Sequence, residues 1–229
     1  MQQAVPIFQD RADAGVKLAE AVSEAGLSDL ADPILIALPR GGVPVAFAMA
    51  HRLGLPMDVL IVRKMRAPGD PEIGIGAVVD GRIPRVVITE EAVRGLSLPP
   101  GYLDTERHHQ IAEVERRHRM YFGEDAPDAH DHQGRDAIIV DDGIANGGSI
   151  RAAIEAVRAM GVASVRIAVP VAPARLVTTL GDEVDDVVCL SPVDNFSAVG
   201  AFYADFSETP DQEVMQLLKE ARRLQRMLQ

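Results

Sequence analysis

The most constraining feature of the sequence is the stretch from Ala137 to Ile150, which reads AIIVDDGIANGGSI. It opens with an apolar, β-branched run of the kind that forms a parallel strand buried on both faces. Two adjacent carboxylates follow, then a turn of small residues, and then a helical pattern that begins at Ile150. This order predicts one strand–turn–helix unit of an α/β sheet, with the two acids at the carboxyl end of the strand.

The same turn carries groups that suit an anion. Backbone N–H groups point outward at a helix N-terminus, and the helix dipole favours negative charge there. Gly147 and Gly148 allow close approach of the backbone, and Ser149 adds a hydroxyl donor. Asp141 and Asp142 would repel phosphate, so we expect them to hold sugar hydroxyls or a divalent cation. A sugar 5-phosphate fits the stretch better than a bare phosphate; a plain crossover turn with solvated acids is the alternative.

Strand and helix patterns alternate along much of the chain. Four more apolar runs predict buried strands, at 33–38, 58–62, 164–169 and 184–190. Helical patterns lie between and around them, at 10–25, 44–53, 150–160, 174–180 and 211–228. This alternation predicts an α/β fold with a doubly wound, mostly parallel sheet and right-handed crossovers. We expect a single domain over 1–229, with a helical insertion at about 90–133 and a C-terminal hood and helix at about 191–229.

Two other strand ends carry cations. The run 33–38 ends in Arg40, Gly41 and Gly42, a second turn suited to an anion unless it is an ordinary glycine turn. The run 58–62 leads into Arg63, Lys64 and Arg66, followed by Pro68-Gly69, and we expect a basic, mobile loop there. A solvated charge run is the alternative. Because ligands of parallel sheets bind at the carboxyl ends of strands, all three strand ends are expected to form one site.

The middle of the chain departs from the strand rhythm. A β-hairpin is predicted with strands at 73–79 and 85–88 and a turn at Asp80-Gly81. A long charged helix follows at 103–122, with one face formed by Ile111, Val114, His118 and Tyr121. A metal site is one interpretation of the surrounding residues, and a packed His118 with solvated neighbours is the other. The residues in question are His109, Glu113, His130 and His132.

Composition limits the class of protein. The chain has 229 residues, of which 47% are hydrophobic, so it is long and apolar enough for a substantial core. Its net charge of -11 argues against general nucleic-acid binding, which needs a basic surface. A single cysteine, Cys189, fits a reducing compartment. We see neither a signal segment nor an apolar run of membrane length, so we expect a cytoplasmic protein with no membrane partner.

The stretch at 137–150 resembles the signature of the type I phosphoribosyltransferases, an apolar run followed by two acids, spacers and Thr-Gly-Gly-Thr. Asn146 and Ser149 stand where threonine is usual in that family. The resemblance implies that Asp141 and Asp142 hold the ribose hydroxyls of phosphoribosyl pyrophosphate and a Mg²⁺ ion. The turn implied to hold the 5-phosphate comprises Ala145, Asn146, Gly147, Gly148 and Ser149.

The resemblance extends over nearly the full length of the chain, and the chain is similar to phosphoribosyltransferase-domain proteins. It implies that Arg40, Gly41 and Gly42 form a loop that binds pyrophosphate. Arg63, Lys64 and Arg66 resemble the basic residues that lead into the family's flexible catalytic loop. Lys64 and Arg66 are therefore expected to join Asp141 and Asp142 in catalysis.

The segment 191–206 contains four of the chain's nine aromatic residues. It is either a hydrophobic edge that docks the closing helix or a stacking platform for a planar base. It weakly resembles the base-binding part of the 6-oxopurine phosphoribosyltransferases, which implies base contacts from Phe196 and Asp205. Ala145 stands where those enzymes carry a catalytic aspartate, so their substrate is not carried over.

The resemblance implies a pentosyltransferase of nucleotide metabolism. It would transfer the 5-phosphoribosyl group of phosphoribosyl pyrophosphate to a nitrogenous base and release pyrophosphate. A regulatory module that binds phosphoribosyl pyrophosphate without turnover is the alternative, and a phosphoribosyl hydrolase or phosphatase-like activity is a third interpretation. The acceptor base, the general base and a homodimeric state remain open.

Overall fold

The structure is a computed structural model, and it describes residues 6–81, 84–88, 93–123 and 132–228. Within these residues the strands form one five-stranded and one three-stranded sheet. The chain divides into two compact units. The first unit comprises the described parts of Met1–Val59, His132–Gly147 and Val157–Gln229, and the second unit those of Leu60–Asp131 and Gly148–Ala156.

The helices and strands are numbered in chain order. They are α1 (Arg11–Glu24), β1 (Pro33–Ala37), α2 (Gly42–Leu53), β2 (Met57–Val59), β3 (Val62–Ala67), β4 (Asp70–Val79), β5 (Arg85–Ile88), α3 (Tyr102–Phe122), β6 (Asp136–Val140), α4 (Gly148–Ala159), β7 (Ser164–Pro173), α5 (Ala174–Gly181), β8 (Asp186–Val193) and α6 (Asp211–Leu228). Short 3-10 helices lie at Leu27–Asp29 and Val199–Phe202.

The first unit is built on a five-stranded parallel sheet in the order β2-β1-β6-β7-β8. Residues 137–140 of β6 are completely buried, as the apolar run predicts for a central parallel strand. Counting these five strands in chain order gives 2-1-3-4-5, so the topological switch point lies between β1 and β6. The predicted α/β fold with a mostly parallel sheet is confirmed.

Helices α1, α2 and α6 cover part of this sheet. Helix α1 packs against α2, β7 and β8, and α6 packs against α2 and β2. The approach of α1 to α2 is close, because a Cβ added to Gly15 would lie 2.4 Å from the Val45 carbonyl oxygen. On α6, Val214, Leu218 and Ala221 are buried, which matches the spacing of one apolar helix face.

The second unit contains an antiparallel sheet in the order β3-β4-β5, with α3 packed on β3 and β4. The predicted hairpin at 73–79 and 85–88 is confirmed as β4 and β5, although residues 82 and 83 of its connection lie outside the described part. On α3, Val114 and Tyr121 are buried. His118 of the same helix places Nδ1 3.0 and 3.1 Å from the two carboxylate oxygens of the buried Asp80.

The predicted basic, mobile loop after residue 62 was wrong in its local structure. Arg63, Lys64 and Arg66 lie in β3, which pairs with β4 through a turn at Pro68-Gly69. Gly69 has φ 81°, the conformation in which glycine is favoured, so these two residues mark a tight turn between strands. The predicted single strand at 58–62 is likewise divided between β2 of the parallel sheet and β3 of the antiparallel one.

The metal-site interpretation of the middle segment finds no support among the described residues, where no group of three or more His, Cys, Asp or Glu side chains could hold a metal ion. Glu113 accepts hydrogen bonds from Arg116 and Arg117, and His132 Nε2 lies 3.1 Å from Asp58 Oδ2. His130 lies outside the described residues. None of the described helices combines the length and apolar character that a bilayer crossing requires.

Candidate functional site

Two strand-end loops meet at the switch point of the parallel sheet. Strands β1 and β6 are neighbours, with Ala37 in register with Val140, and the Leu38 N–H donates to the Val140 carbonyl at 2.9 Å. Arg40 follows β1 and Asp141 follows β6 within a few residues. The first unit thus brings the arginine-glycine turn and the paired acids to the place where ligands of such sheets bind.

The contact between these two loops leaves no room for side chains on the glycines. A Cβ added to Gly41 would lie 1.9 Å from Asp142 Oδ2, and one added to Gly42 would lie 2.7 Å from the Val140 carbonyl oxygen. Gly41 has φ -62°, which any residue can adopt. Glycine at position 41 is therefore required by space and not by backbone conformation.

Helix α2 starts at Gly42, and its first donors are already engaged. The Gly42 N–H donates to the Leu38 carbonyl at 3.0 Å and the Val43 N–H to the Arg40 carbonyl at 3.1 Å. Pro44 has no N–H. The backbone donors with which this loop could hold an anion therefore lie earlier, at Arg40 and Gly41.

The turn after β6 is anchored at its start and leads into α4. Ile144 is buried, and its N–H donates to the Val171 carbonyl at 3.0 Å. Gly147 precedes α4 with φ 77°, whereas Ala145 and Asn146 are exposed. Helix α4 begins at Gly148, two residues before the predicted start, so Ser149 lies in its first turn.

Asp142 takes part in a largely shielded ion pair. Its side chain is 14% exposed, and Oδ2 accepts a hydrogen bond from Arg11 Nε at 2.8 Å. Burial raises the pKa of the Asp142 carboxyl, while the Arg11 guanidinium pulls that pKa down. The Asp142 N–H donates to Asp141 Oδ1 at 2.9 Å, which ties the two acids together.

Tyr203 holds the backbone of Asp142 in place. Its hydroxyl donates to the Asp142 carbonyl at 2.6 Å. Burial, followed by the nearby Asp142 charge, raises the pKa of the buried Tyr203 phenol, so the phenol remains a neutral donor at physiological pH.

The aromatic segment of the hood packs on the N-terminal segment. Phe8, Phe202 and Tyr203 form a buried cluster with Val171, and Phe196 lies against it. The Phe196 and Phe202 rings stack with centroids 5.8 Å apart. One of the two interpretations of 191–206 was a hydrophobic edge that docks the closing helix; its aromatic residues instead pack on the chain around Phe8. Backbone hydrogen bonds join the same parts, because Ala204 N–H donates to the Phe8 carbonyl at 2.8 Å.

The hood also reaches both strand-end loops. Gly143 directly follows the paired acids, and a Cβ added to it would lie only 2.6 Å from Val199 Cγ1. Glu208 forms an ion pair with Arg40. Asp205 is exposed and accepts hydrogen bonds from the Ser207 N–H and hydroxyl, which lower the pKa of the Asp205 carboxyl.

The remaining predicted residues belong to the second unit. Arg63 Nε donates to Gln110 Oε1 at 3.1 Å, and the pKa of the Arg63 guanidinium is lowered, first by burial and then by neighbouring arginines. Arg66 has an exposed side chain, and its carbonyl accepts a hydrogen bond from the Tyr102 hydroxyl. Lys64 lies between Arg63 and Arg66 in the sequence of β3. Gly148 and Ser149 belong to the part of α4 that falls in this unit. The roles predicted for these residues stay predictions.

Sequence reasoning missed Arg11 and Tyr203. Arg11 is separated from Asp142 by 131 positions, and its place at the start of α1 resembles that of any polar residue near a helix terminus. In the sequence, Tyr203 is one of several aromatic residues of the segment 191–206. Neither contact has a local signal, because each depends on how a segment distant in sequence packs on the loop after β6.

A five-stranded parallel sheet carries the glycine turn after β1 and the paired acids after β6 at its switch point, and these features agree with a known family. Residues 8–207 match the family described as the phosphoribosyl transferase domain, and the chain belongs to this family.

Individual relatives agree with the family. Two Mycobacterium tuberculosis proteins are each 40% identical over 218 residues: "Putative phosphoribosyl transferase Rv0571c" of strain H37Rv and "Putative phosphoribosyl transferase MT0597" of strain CDC 1551. The matches cover 95% of this chain but 47% of those proteins, so the chain spans about half of their length. The crystal structure of TT1426 from Thermus thermophilus is 39% identical, with a TM-score of 0.73 and coverage of 93% of this chain and 98% of that one.

Proposed function

We propose that this chain is a phosphoribosyltransferase that transfers the 5-phosphoribosyl group of phosphoribosyl pyrophosphate to a ring nitrogen of a base. The observation that carries the proposal is the contact of the Gly41 loop with Asp142 at the switch point of the sheet. That contact places an arginine-bearing turn and paired carboxylates side by side. A ligand with a polyphosphate at one end and sugar hydroxyls beside it matches this arrangement, because the polyphosphate suits the arginine-bearing turn and the hydroxyls suit the carboxylates.

In this proposal each part of the site binds one part of the substrate. Asp141 and Asp142 accept hydrogen bonds from the ribose hydroxyls, and the turn at 145–149 holds the 5-phosphate. Arg40, with the Arg40 and Gly41 N–H groups, holds the pyrophosphate. Charge-assisted hydrogen bonds of this kind are stronger than neutral ones, so they give the ligand a defined orientation.

The proposed reaction is a displacement at C1 of the ribose. The base nitrogen forms a bond to C1 while the bond from C1 to the pyrophosphate oxygen breaks, and pyrophosphate leaves with the bonding electrons. The proton given up by the nitrogen passes to pyrophosphate or to water. Positive charge develops on the sugar ring, as in glycoside hydrolysis, so nearby carboxylates and a stabilised leaving group favour the transition state.

Lys64 and Arg66 are proposed to neutralise the leaving pyrophosphate. Phe196 and Asp205 are proposed to contact the base from the hood. Arg63 is proposed to bind substrate as well, and its hydrogen bond to Gln110 gives it a structural partner within the second unit.

A Mg²⁺ ion fits the donors that this site offers. Asp141 and Asp142 supply hard oxygen ligands, and Mg²⁺ is commonly held by one or two carboxylates together with substrate phosphates and waters. The described residues contain no larger cluster of acids that would form an all-protein cage. When bound, the ion would neutralise charge on the pyrophosphate.

The test is calorimetric binding of phosphoribosyl pyrophosphate with Mg²⁺, followed by a pyrophosphate-release assay against a panel of nucleobases. Wild type should bind the ligand and release pyrophosphate with at least one base. Asp141→Asn and Asp142→Asn should each weaken binding about 10- to 100-fold, because each removes charge-assisted hydrogen bonds worth about 1.5–3 kcal/mol. Tight binding without release for any base would favour the non-catalytic regulatory module. Unchanged affinity in the folded double variant would contradict the ribose assignment.

A further inference from the structure

Arg11 joins three groups of the first unit. Its Nε donates to Asp142 Oδ2 at 2.8 Å, and its Nη1 donates to the Ser207 carbonyl at 2.7 Å. Its guanidinium carbon lies 4.0 Å from the centre of the Phe206 ring. The side chains of Arg11 and Asp142 are only 12% and 14% exposed, so the ion pair is largely shielded from water.

One oxygen of the Asp142 side chain, Oδ2, meets two neighbours. It lies 1.9 Å from the position that a Gly41 Cβ would take, so the pyrophosphate-loop candidate leaves it no room in that direction. The same oxygen accepts the hydrogen bond from Arg11, whose Nε lies 3.1 Å from that Cβ position. This hydrogen bond belongs to a largely shielded ion pair and holds one of the two carboxylate oxygens. Arg11 therefore fixes the orientation of this carboxylate.

The backbone of Asp142 is held without Arg11. Its carbonyl accepts from the Tyr203 hydroxyl and its N–H donates to Asp141 Oδ1. Loss of the Arg11 guanidinium should therefore release the Asp142 side chain while the loop itself stays in place. This separation distinguishes a role in orienting one carboxylate from a general role in folding.

We propose that Arg11 is a positioning residue for the phosphoribosyl group: it holds the Asp142 carboxylate in the orientation that accepts the ribose hydroxyls. Through Ser207 and Phe206 it also couples that carboxylate to the hood. The inference rests on the function proposed above. Arg11 acts through Asp142, so its removal affects ligands that carry ribose and spares those that do not.

The experiment measures binding of three probes: phosphoribosyl pyrophosphate with Mg²⁺, and ribose 5-phosphate and inorganic pyrophosphate without it, so that no ion links Asp142 to the phosphates of the two smaller probes. Arg11→Met should weaken the two ribose-containing ligands by about tenfold or more. Pyrophosphate affinity should stay within about twofold, because pyrophosphate has no hydroxyl for Asp142. Arg11→Lys should recover part of the loss, since an ammonium can pair with Asp142 but lacks the planar fork that also reaches Ser207 and stacks on Phe206.

Lys17→Met is the matched control. Lys17 lies on the same helix and also contacts a carboxylate, a backbone carbonyl and an aromatic ring. It donates to Asp13 at 2.8 Å and to the Ile7 carbonyl at 3.2 Å, and it lies 5.5 Å from the Phe8 ring centre. Thermal unfolding of both variants reports any structural loss. Lys17→Met should leave the affinities of all three probes unchanged.

A double-mutant cycle with Asp142→Asn completes the test. If Arg11 acts through Asp142, Arg11→Met should cause little further loss of ribose 5-phosphate binding in the Asp142→Asn background. Additive losses, or equal losses for pyrophosphate and ribose 5-phosphate, would overturn the proposal. Should Arg11→Met not fold, Arg11→Lys decides by the same comparison, and unchanged affinities for all probes would overturn it. Wild type that binds no phosphoribosyl pyrophosphate would instead refute the proposed function itself.

Discussion

Gly41 shows how one missing side chain shapes the site. The space a Cβ would need is occupied by the Asp142 carboxylate, and the backbone of Gly41 has an ordinary helical φ. An alanine at this position would be conformationally acceptable and would still displace the carboxylate. At Gly41 the pyrophosphate-loop candidate therefore approaches the ribose-binding candidate so closely that no side chain fits between them.

Gly41→Ala should consequently weaken phosphoribosyl pyrophosphate binding by about tenfold or more, because the Asp142 carboxylate loses its position and its charge-assisted hydrogen bonds. Calorimetry on the folded variant is the measurement. Gly181→Ala is the control, since a Cβ there meets nothing within 4 Å. If both variants bind as wild type does, the contact between the two loops is not needed for ligand binding.

At the scale of elements, α3 carries its own network of ion pairs. Glu113 accepts a hydrogen bond from Arg116 Nε at 2.8 Å and another from Arg117 Nε at 2.8 Å. These contacts, the Arg116 hydrogen bond first, lower the pKa of Glu113 from its ordinary value of 4.5 to about 2. A depressed carboxyl pKa contributes stability above the unfolded value, and that contribution is lost as pH falls through the folded value.

Glu113→Gln should therefore lower the free energy of unfolding at pH 7 by about 1–2 kcal/mol, a range reduced for partial solvent screening. The difference from wild type should shrink as the pH falls from about 5 towards 2. Chemical denaturation over that pH range is the measurement, with the exposed Glu115→Gln on the same helix as the control. A difference that does not change with pH would show that the ion pairs of Glu113 contribute no net stability.

At the scale of the whole molecule, an acidic chain presents a local concentration of cations. The net charge is -11, yet Arg63, Lys64 and Arg66 stand within four positions on β3. Arg63 is half-buried and bonded to Gln110, whereas Arg66 is exposed. The three cations are therefore not equivalent, and the anionic part of the ligand is expected to depend on Lys64 and Arg66.

Neutralising Lys64 and Arg66 together to methionine should weaken phosphoribosyl pyrophosphate and free pyrophosphate strongly and ribose 5-phosphate little. The loss should be smaller at high ionic strength, because exposed charges are screened by salt. Arg63→Met is the comparison, and it should lower thermal stability more than ligand affinity. If ribose 5-phosphate binding weakened equally, Lys64 and Arg66 would have a structural role or a general electrostatic attraction for anions, and not a specific role at the pyrophosphate.

The local sequence determined the parallel strands and the residues at their ends. The apolar run before Asp141 is buried on both faces, as its composition requires, and helix α6 occupies Asp211–Leu228 as its periodicity predicts. The same logic failed at Arg63–Arg66, where charge and a Pro-Gly pair favour a loop. Pairing with β4 supplied backbone hydrogen bonds to these residues and made the Pro68-Gly69 pair a turn.

Only the tertiary structure decided which groups surround the paired acids. Sequence alone placed Asp141 and Asp142 at a strand end and Arg40 at another, because each position follows from local periodicity. It did not indicate that Arg11 would neutralise Asp142, that Tyr203 would hold its carbonyl, or that Gly41 would lie against it. These contacts join residues far apart in the chain. The Gly41 contact exists because β1 and β6 pair side by side, and the Arg11 and Tyr203 contacts exist because the start of α1 and the segment around Tyr203 pack on the loop after β6.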